Sequence, residues 1–124
     1  MGKRRILVAD DQEPIRVLLK MSLERLGFEV STAKDGREAL GSVRENPPDL
    51  IITDVMMPEM DGYEVLTQLR SDPATAGIPA IVLTALEEES YQEKSASLGA
   101  VDHLVKPVSL PALKQKVLKV LGEG

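Results

Sequence analysis

Five short strand-like segments, each followed by a stretch with helical spacing, restrict what this chain can fold into. Ile6-Leu7-Val8-Ala9, Leu50-Ile51-Ile52 and Ala80-Ile81-Val82-Leu83 are continuous apolar runs, Glu29 to Ala33 alternates, and Val101 to Val105 is mixed. A continuous apolar run of four or five residues reads as a strand covered on both faces. Between the runs the period changes. Ile15, Leu18, Leu19, Leu23 and Leu26 share one face of a helix over Pro14 to Leu26, which Gly27 ends. Asp35-Gly36-Arg37-Glu38 reads as a capping box before Ala39, Leu40 and Val43, and Pro47-Pro48 stops that helix. Asp61 to Glu64 repeats the signal before Val65, Leu66 and Leu69, and Pro73 closes the helix. Glu87 to Leu98 predicts a weakly amphipathic fourth helix ending at Gly99. Ser109 caps a last one carrying Leu110, Leu113, Val117, Val120 and Leu121.

Strands that alternate with helices imply a parallel sheet with helices on both faces. Five units in 124 residues are too few for an eight-stranded barrel. An open, doubly wound α/β sheet remains. Its common five-stranded order is 2-1-3-4-5, with a ligand crevice at the switch point between strands one and three.

Polar residues stand at the carboxyl ends of these strands. Strand one supplies Asp10 and Asp11, strand three Asp54, strand four Thr84 and strand five Lys106. The architecture brings these ends to one crevice. Two like charges 4 Å apart repel by about 4 kcal/mol at an effective dielectric of 20. Such a group needs either a proton or a cation. Carboxylates, backbone oxygens and water suit a hard ion, with Mg2+ the first choice. An ammonium and a hydroxyl beside them suit a phosphoryl group. The set fits phosphoryl transfer onto a carboxylate. Taken singly, each residue has an ordinary explanation: Asp11 as a helix cap, Asp54 as a turn residue, Thr84 as structural and Lys106 as solvated.

Composition excludes several other classes. Without cysteine there is no disulfide framework, thiol nucleophile or thiolate metal site. One histidine argues against zinc sites and against enzymes built on paired histidines. Fifteen basic against twenty acidic residues give a net charge of −5, the wrong sign for a nucleic-acid binder. No apolar run approaches the roughly 20 residues that span a bilayer, and none fits a secretory signal, so the expected compartment is cytoplasmic.

In these motifs the chain resembles a receiver domain of a two-component response regulator. The matching residues are Asp10-Asp11, Asp54 with the following Val55 to Gly62, Thr84-Ala85 and Lys106-Pro107. The resemblance implies a flavodoxin-like fold over residues 1–124 as a single receiver domain without an output domain. It implies that Asp54 accepts a phosphoryl group from a phosphohistidine on a sensor histidine kinase or a histidine phosphotransfer protein. Asp11, Asp54 and the carbonyl of Met56 would bind Mg2+, with Asp10 acting mostly through a metal-bound water. Thr84, Ala85 and Lys106 would contact the phosphoryl group, and the Lys106-Pro107 bond would be cis. Phosphorylation would shift the face made by segment 87–98, the fifth strand and the last helix, and so control a downstream protein. The chain would be a monomer, with pairing on phosphorylation left open, and no enzyme beyond its own phosphotransfer and slow autodephosphorylation. One position departs from the family pattern: His103 stands where Tyr or Phe is usual, three residues before the lysine.

Other classes fit less well. A phosphatase of the haloacid-dehalogenase type would place an acid two residues after its nucleophile, where this chain has Met56. A flavin phosphate would meet Asp10-Asp11 instead of a loop of N–H donors. A receiver-like domain that binds partners without phosphorylation keeps the same fold.

Overall fold

The computed structural model describes residues 3–85 and 96–122. The elements run β1 (Arg5–Ala9), α1 (Glu13–Arg25), β2 (Glu29–Ala33), α2 (Gly36–Glu45), β3 (Leu50–Asp54), α3 (Gly62–Ser71), β4 (Ala80–Thr84), β5 (Ala100–Val105) and α4 (Leu110–Leu121). The helix expected over Glu87 to Leu98 lies largely outside the described residues. Its expected end, Gly99, has φ +86° and donates its N–H to the Ala96 carbonyl at 3.0 Å.

The five strands form one sheet in the order β2-β1-β3-β4-β5, all neighbours parallel. Every residue of β3 and β4 is buried, because helices cover both faces. Alternate residues divide between two cores. Leu7, Ala9, Ile51 and Val82 pack with Leu40 and Val43 of α2 and Leu66 and Leu69 of α3. Ile6, Val8, Ile52, Leu83 and Leu104 pack with Leu19 and Leu23 of α1 and Leu113 and Val117 of α4. Each fully buried aliphatic side chain contributes roughly 1.5–3 kcal/mol.

Three expected caps are present. The carboxylates of Asp35 and Asp61 each accept the N–H three residues on, at 2.9 Å, and Ser109 Oγ accepts that of Ala112 at 3.3 Å. Glu38 returns a carboxylate oxygen to the N–H of Lys34 at 3.1 Å, one residue earlier than a standard capping box. The first helix starts differently. Its N-cap is Gln12, whose side chain makes no capping bond, and Pro14 lies in the first turn, where a missing N–H is harmless. Asp11 therefore stays off the helix end.

The pairing of β5 with β4 is irregular. Ala80 lies opposite Ala100, but Ile81 lies opposite Asp102, so Val101 is an extra residue bulged on the outer strand. Beyond it, His103 faces the same side as Val82, and Leu104 the same side as Leu83.

Candidate functional site

The site grows from rows of side chains on the sheet. Along β1, Ile6 and Val8 face the α1–α4 core, and the next residue on that side is Asp10. Leu50 and Ile52 of β3 lead in the same way to Asp54, and Leu104 of β5 leads to Lys106. The β1 and β3 rows are apolar until the strand leaves the cover of its helices, and there each ends in a charge; the β5 row carries Asp102 before Leu104 and Lys106. A period-two strand fixes this outcome.

Lys106 Nζ sits between the two buried carboxylates, 2.8 Å from Asp54 Oδ2 and 2.9 Å from Asp10 Oδ2. The contact to Asp54 is a directed hydrogen bond. That to Asp10 has ion-pair distance only, and Asp10 Oδ2 is buried with no hydrogen-bond partner. The other oxygens are held by backbone: Asp54 Oδ1 accepts the Met56 N–H at 3.2 Å, and Asp10 Oδ1 accepts the Gln12 N–H at 2.9 Å. Asp11, exposed at the rim, completes a group in which one oxygen from each of the three acids lies within 4.8 Å of the others.

Burial pushes the Asp54 carboxyl above its ordinary range; the Lys106 hydrogen bond pulls it back, and the Asp10 charge pushes it up again. Burial alone would lower Lys106, but its bonds to Asp54 and Asp10 outweigh that and hold the ammonium above its usual range. At neutral pH the site therefore holds one fixed positive charge. It faces three acid side chains, so acids outnumber the cation at the site. The ligands are all oxygen, which suits a hard ion, and Asp10 Oδ2, held by its ion-pair contact with Lys106 but by no hydrogen bond, is a ready acceptor for one or for its water.

Thr84 is buried at the end of β4, and its carbonyl accepts the Lys106 N–H at 2.7 Å, which ties these two strand ends together. Ala85 follows it, exposed. The Lys106-Pro107 peptide bond is cis. His103 lies half-buried on β5, three residues from Lys106, and does not touch the acidic group; its Nδ1 is 3.9 Å from Asp102 Oδ1.

Two supporting contacts go beyond what the motifs show, one from Arg16 and one from Gly62, the last residue of the Asp54 motif. Arg16 donates from Nη1 to the Asp10 carbonyl at 2.8 Å, holding the end of β1 from α1. Gly62 lies so close under β3 that a Cβ would collide with the Asp54 carbonyl oxygen and Val55 Cα, and its N–H donates to the Val55 carbonyl at 2.9 Å. The Asp61-Gly62 pair was a visible signal, but its cap function conceals the close approach.

A family model described as the response regulator receiver domain matches residues 6–118. The chain belongs to that family. Among relatives, this receiver domain is similar to the alkaline phosphatase synthesis transcriptional regulatory protein PhoP of Bacillus subtilis, 43% identical over 118 residues, which is 95% of this chain and 48% of that protein. The chain spans about half the length of the curated relatives it matches. Its structure is similar to the Vibrio cholerae chemotaxis protein CheY4, with a TM-score of 0.91 and 33% identity over 96% of this chain and 99% of that one. It is also similar to the receiver domain of the Pseudomonas aeruginosa sensor histidine kinase PA1611, whose active site cleft holds a coordinated magnesium ion. That match has a TM-score of 0.88 and 26% identity, and covers 98% of this chain and 100% of the other.

Proposed function

We infer that this receiver domain is a phosphorylation-controlled signalling switch rather than a conventional enzyme. Asp54 is its acceptor, and the donor is a phosphohistidine on a sensor kinase or phosphotransfer protein. The observation that carries this reading is the Lys106 ammonium lodged between Asp54 and Asp10 beside a third carboxylate. Asp10, Asp11, Asp54 and the Met56 carbonyl would hold a Mg2+ ion. When bound, such an ion neutralises the surplus negative charge and the oxygens of an incoming phosphoryl group.

The chain's own groups divide the remaining work. Asp54 supplies a carboxylate oxygen as nucleophile, oriented by the Met56 N–H. The new P–O bond forms as the donor's P–N bond breaks, and the histidine leaves with the electron pair. Lys106 can turn from Asp54 to a phosphoryl oxygen while keeping its contact with Asp10. Thr84 and Ala85 offer further contacts from the end of β4. The added charge and acceptor oxygens then favour a different arrangement of the strand ends. Because Thr84 and Lys106 are joined through the β4–β5 ladder, a shift of one reaches His103 and the face of β5 and α4. A downstream protein reads that face.

The test is intact-mass spectrometry after incubation with acetyl phosphate, with and without Mg2+, on the parent and Asp54→Ala. The parent should gain about 80 Da, one phosphoryl group, only with Mg2+. Asp54→Ala should gain nothing. Equal labelling of the variant removes Asp54 from the role, and a parent that takes no label from any phosphodonor points to a domain that binds partners without phosphotransfer.

A further inference from the structure

Methionines 56 and 57 are adjacent in sequence and opposite in environment. Met57 packs in the α2–α3 core and is 8% exposed. Met56 is 69% exposed, the most open of the large apolar side chains among the described residues. Met60 is half-buried, and its sulfur is 4.0 Å from Gln68 Nε2. Met21, on α1, is 51% exposed but lies outside the site. The most exposed methionine among the described residues is thus also the one whose N–H holds the acceptor carboxylate, at 3.2 Å.

No packing need explains an apolar thioether there. Its sulfur is accessible to peroxide, whereas that of Met57 is shielded. We propose that Met56 is an oxidation site through which peroxide lowers phosphoryl acceptance at Asp54. In the step, the thioether sulfur attacks the peroxide oxygen, an S–O bond forms, the O–O bond breaks and water leaves. Sulfur is oxidised by two electrons and peroxide is reduced by two. The product is a sulfoxide, a strong hydrogen-bond acceptor with negative charge on its oxygen. Two residues from Asp54, that oxygen opposes an incoming anionic phosphoryl group and holds water at the mouth of the crevice. The change is reversible by a methionine sulfoxide reductase, as a regulatory device requires.

The inference rests on Asp54 as acceptor, and the experiment separates the two. The full chain is treated with dilute hydrogen peroxide, quenched and mapped by peptide mass. Its phosphorylation rate by acetyl phosphate with Mg2+ is then compared with that of untreated protein. Met56 should gain about 16 Da well before Met57 and Met60. The treated parent and treated Met21→Leu should label roughly threefold to fivefold more slowly than their untreated forms, and reductase should restore the rate. In Met56→Leu, treated and untreated samples should label alike, whatever their common rate. An unchanged rate with Met56 oxidised overturns the inference and leaves Asp54 as acceptor. So does oxidation of the buried methionines ahead of Met56, or equal slowing in Met56→Leu. Untreated parent that fails to label from any donor overturns both.

Discussion

At the scale of single residues, the site is an exercise in forced proximity. Three acids within 4.8 Å of one another would be unstable without a cation, and Lys106 is placed where it touches two of them. The backbone must come equally close beneath. Gly62 opens α3 directly under the carbonyl of Asp54, with no room for a Cβ. Replacing a helical glycine by alanine ordinarily stabilises by roughly 0.5–1 kcal/mol. Here the sign should reverse. Gly62→Ala should cost about 1–3 kcal/mol, because the methyl group must displace backbone on which the acceptor rests. Urea unfolding of the variant against the parent measures this. A variant as stable as the parent would mean that β3 and α3 can separate freely. The charged residues of the site were legible in the sequence because each stands at the carboxyl end of a strand. Arg16 and the part played by Gly62 were not, since close backbone approach and a bond to a carbonyl leave no pattern in the residue types.

Among the elements, β5 and α4 show how a strand edge is managed. Lys116 of α4 reaches across to donate to Asp102 Oδ1 at 2.9 Å and to the His103 carbonyl at 2.7 Å. Burial raises the Asp102 carboxyl, but the hydrogen bond from Lys116 and the N–H of His103 outweigh it, and the net direction is down. An acid with a lowered folded pKa contributes stability above its unfolded value, near 3.9, and loses it as pH falls through the folded value. Lys116→Met should therefore destabilise the domain at pH 7 by about 0.5–1 kcal/mol, with a difference that shrinks below about pH 4. Chemical denaturation between pH 7 and pH 2.5 follows the two curves, and a difference that stays constant with pH would remove the ion pair as its cause. Helix caps were equally readable in advance: Asp35, Asp61 and Ser109 each accept the N–H that their spacing predicts. The bulge at Val101 was not. Alternation identifies a strand without saying where one residue has been left out of the ladder.

For the whole molecule, the order β2-β1-β3-β4-β5 sets β1 beside β3 and so places Asp10 next to Asp54 although 44 residues separate them. The open parallel sheet was legible because strand and helix periods alternate without interruption and the chain is too short for a closed barrel, whereas the strand order is the common one for such sheets and the one the family resemblance implies. The surplus of negative charge it creates makes the stability of the fold depend on its ionic surroundings. A ligand that binds only the folded state stabilises it by about 2.7 kcal/mol at a hundred times its dissociation constant. Saturating Mg2+ should thus raise the melting temperature of the parent on the order of 10 °C. Asp11→Ala should lose most of that gain while melting normally in chelator. Equal gains in both proteins, read by calorimetry, would show that the ion acts elsewhere.

The bulge gives β5 one residue of slack. Ala100 and His103 face the same side although three positions separate them, so the strand is longer than its partner by Val101, whose side chain is 56% exposed. Shortening the strand at Val101 would merely regularise the ladder, leaving Asp102, Leu104 and Lys106 on their present rows. Shortening it anywhere from Asp102 to Val105 would let the ladder take up the slack from below, turning the residues between Val101 and the cut to opposite faces while those beyond it keep theirs. The reach of Lys106 to its two carboxylates is thereby insulated from the loss of any one residue between Val101 and Val105, and only the residues below the cut change face.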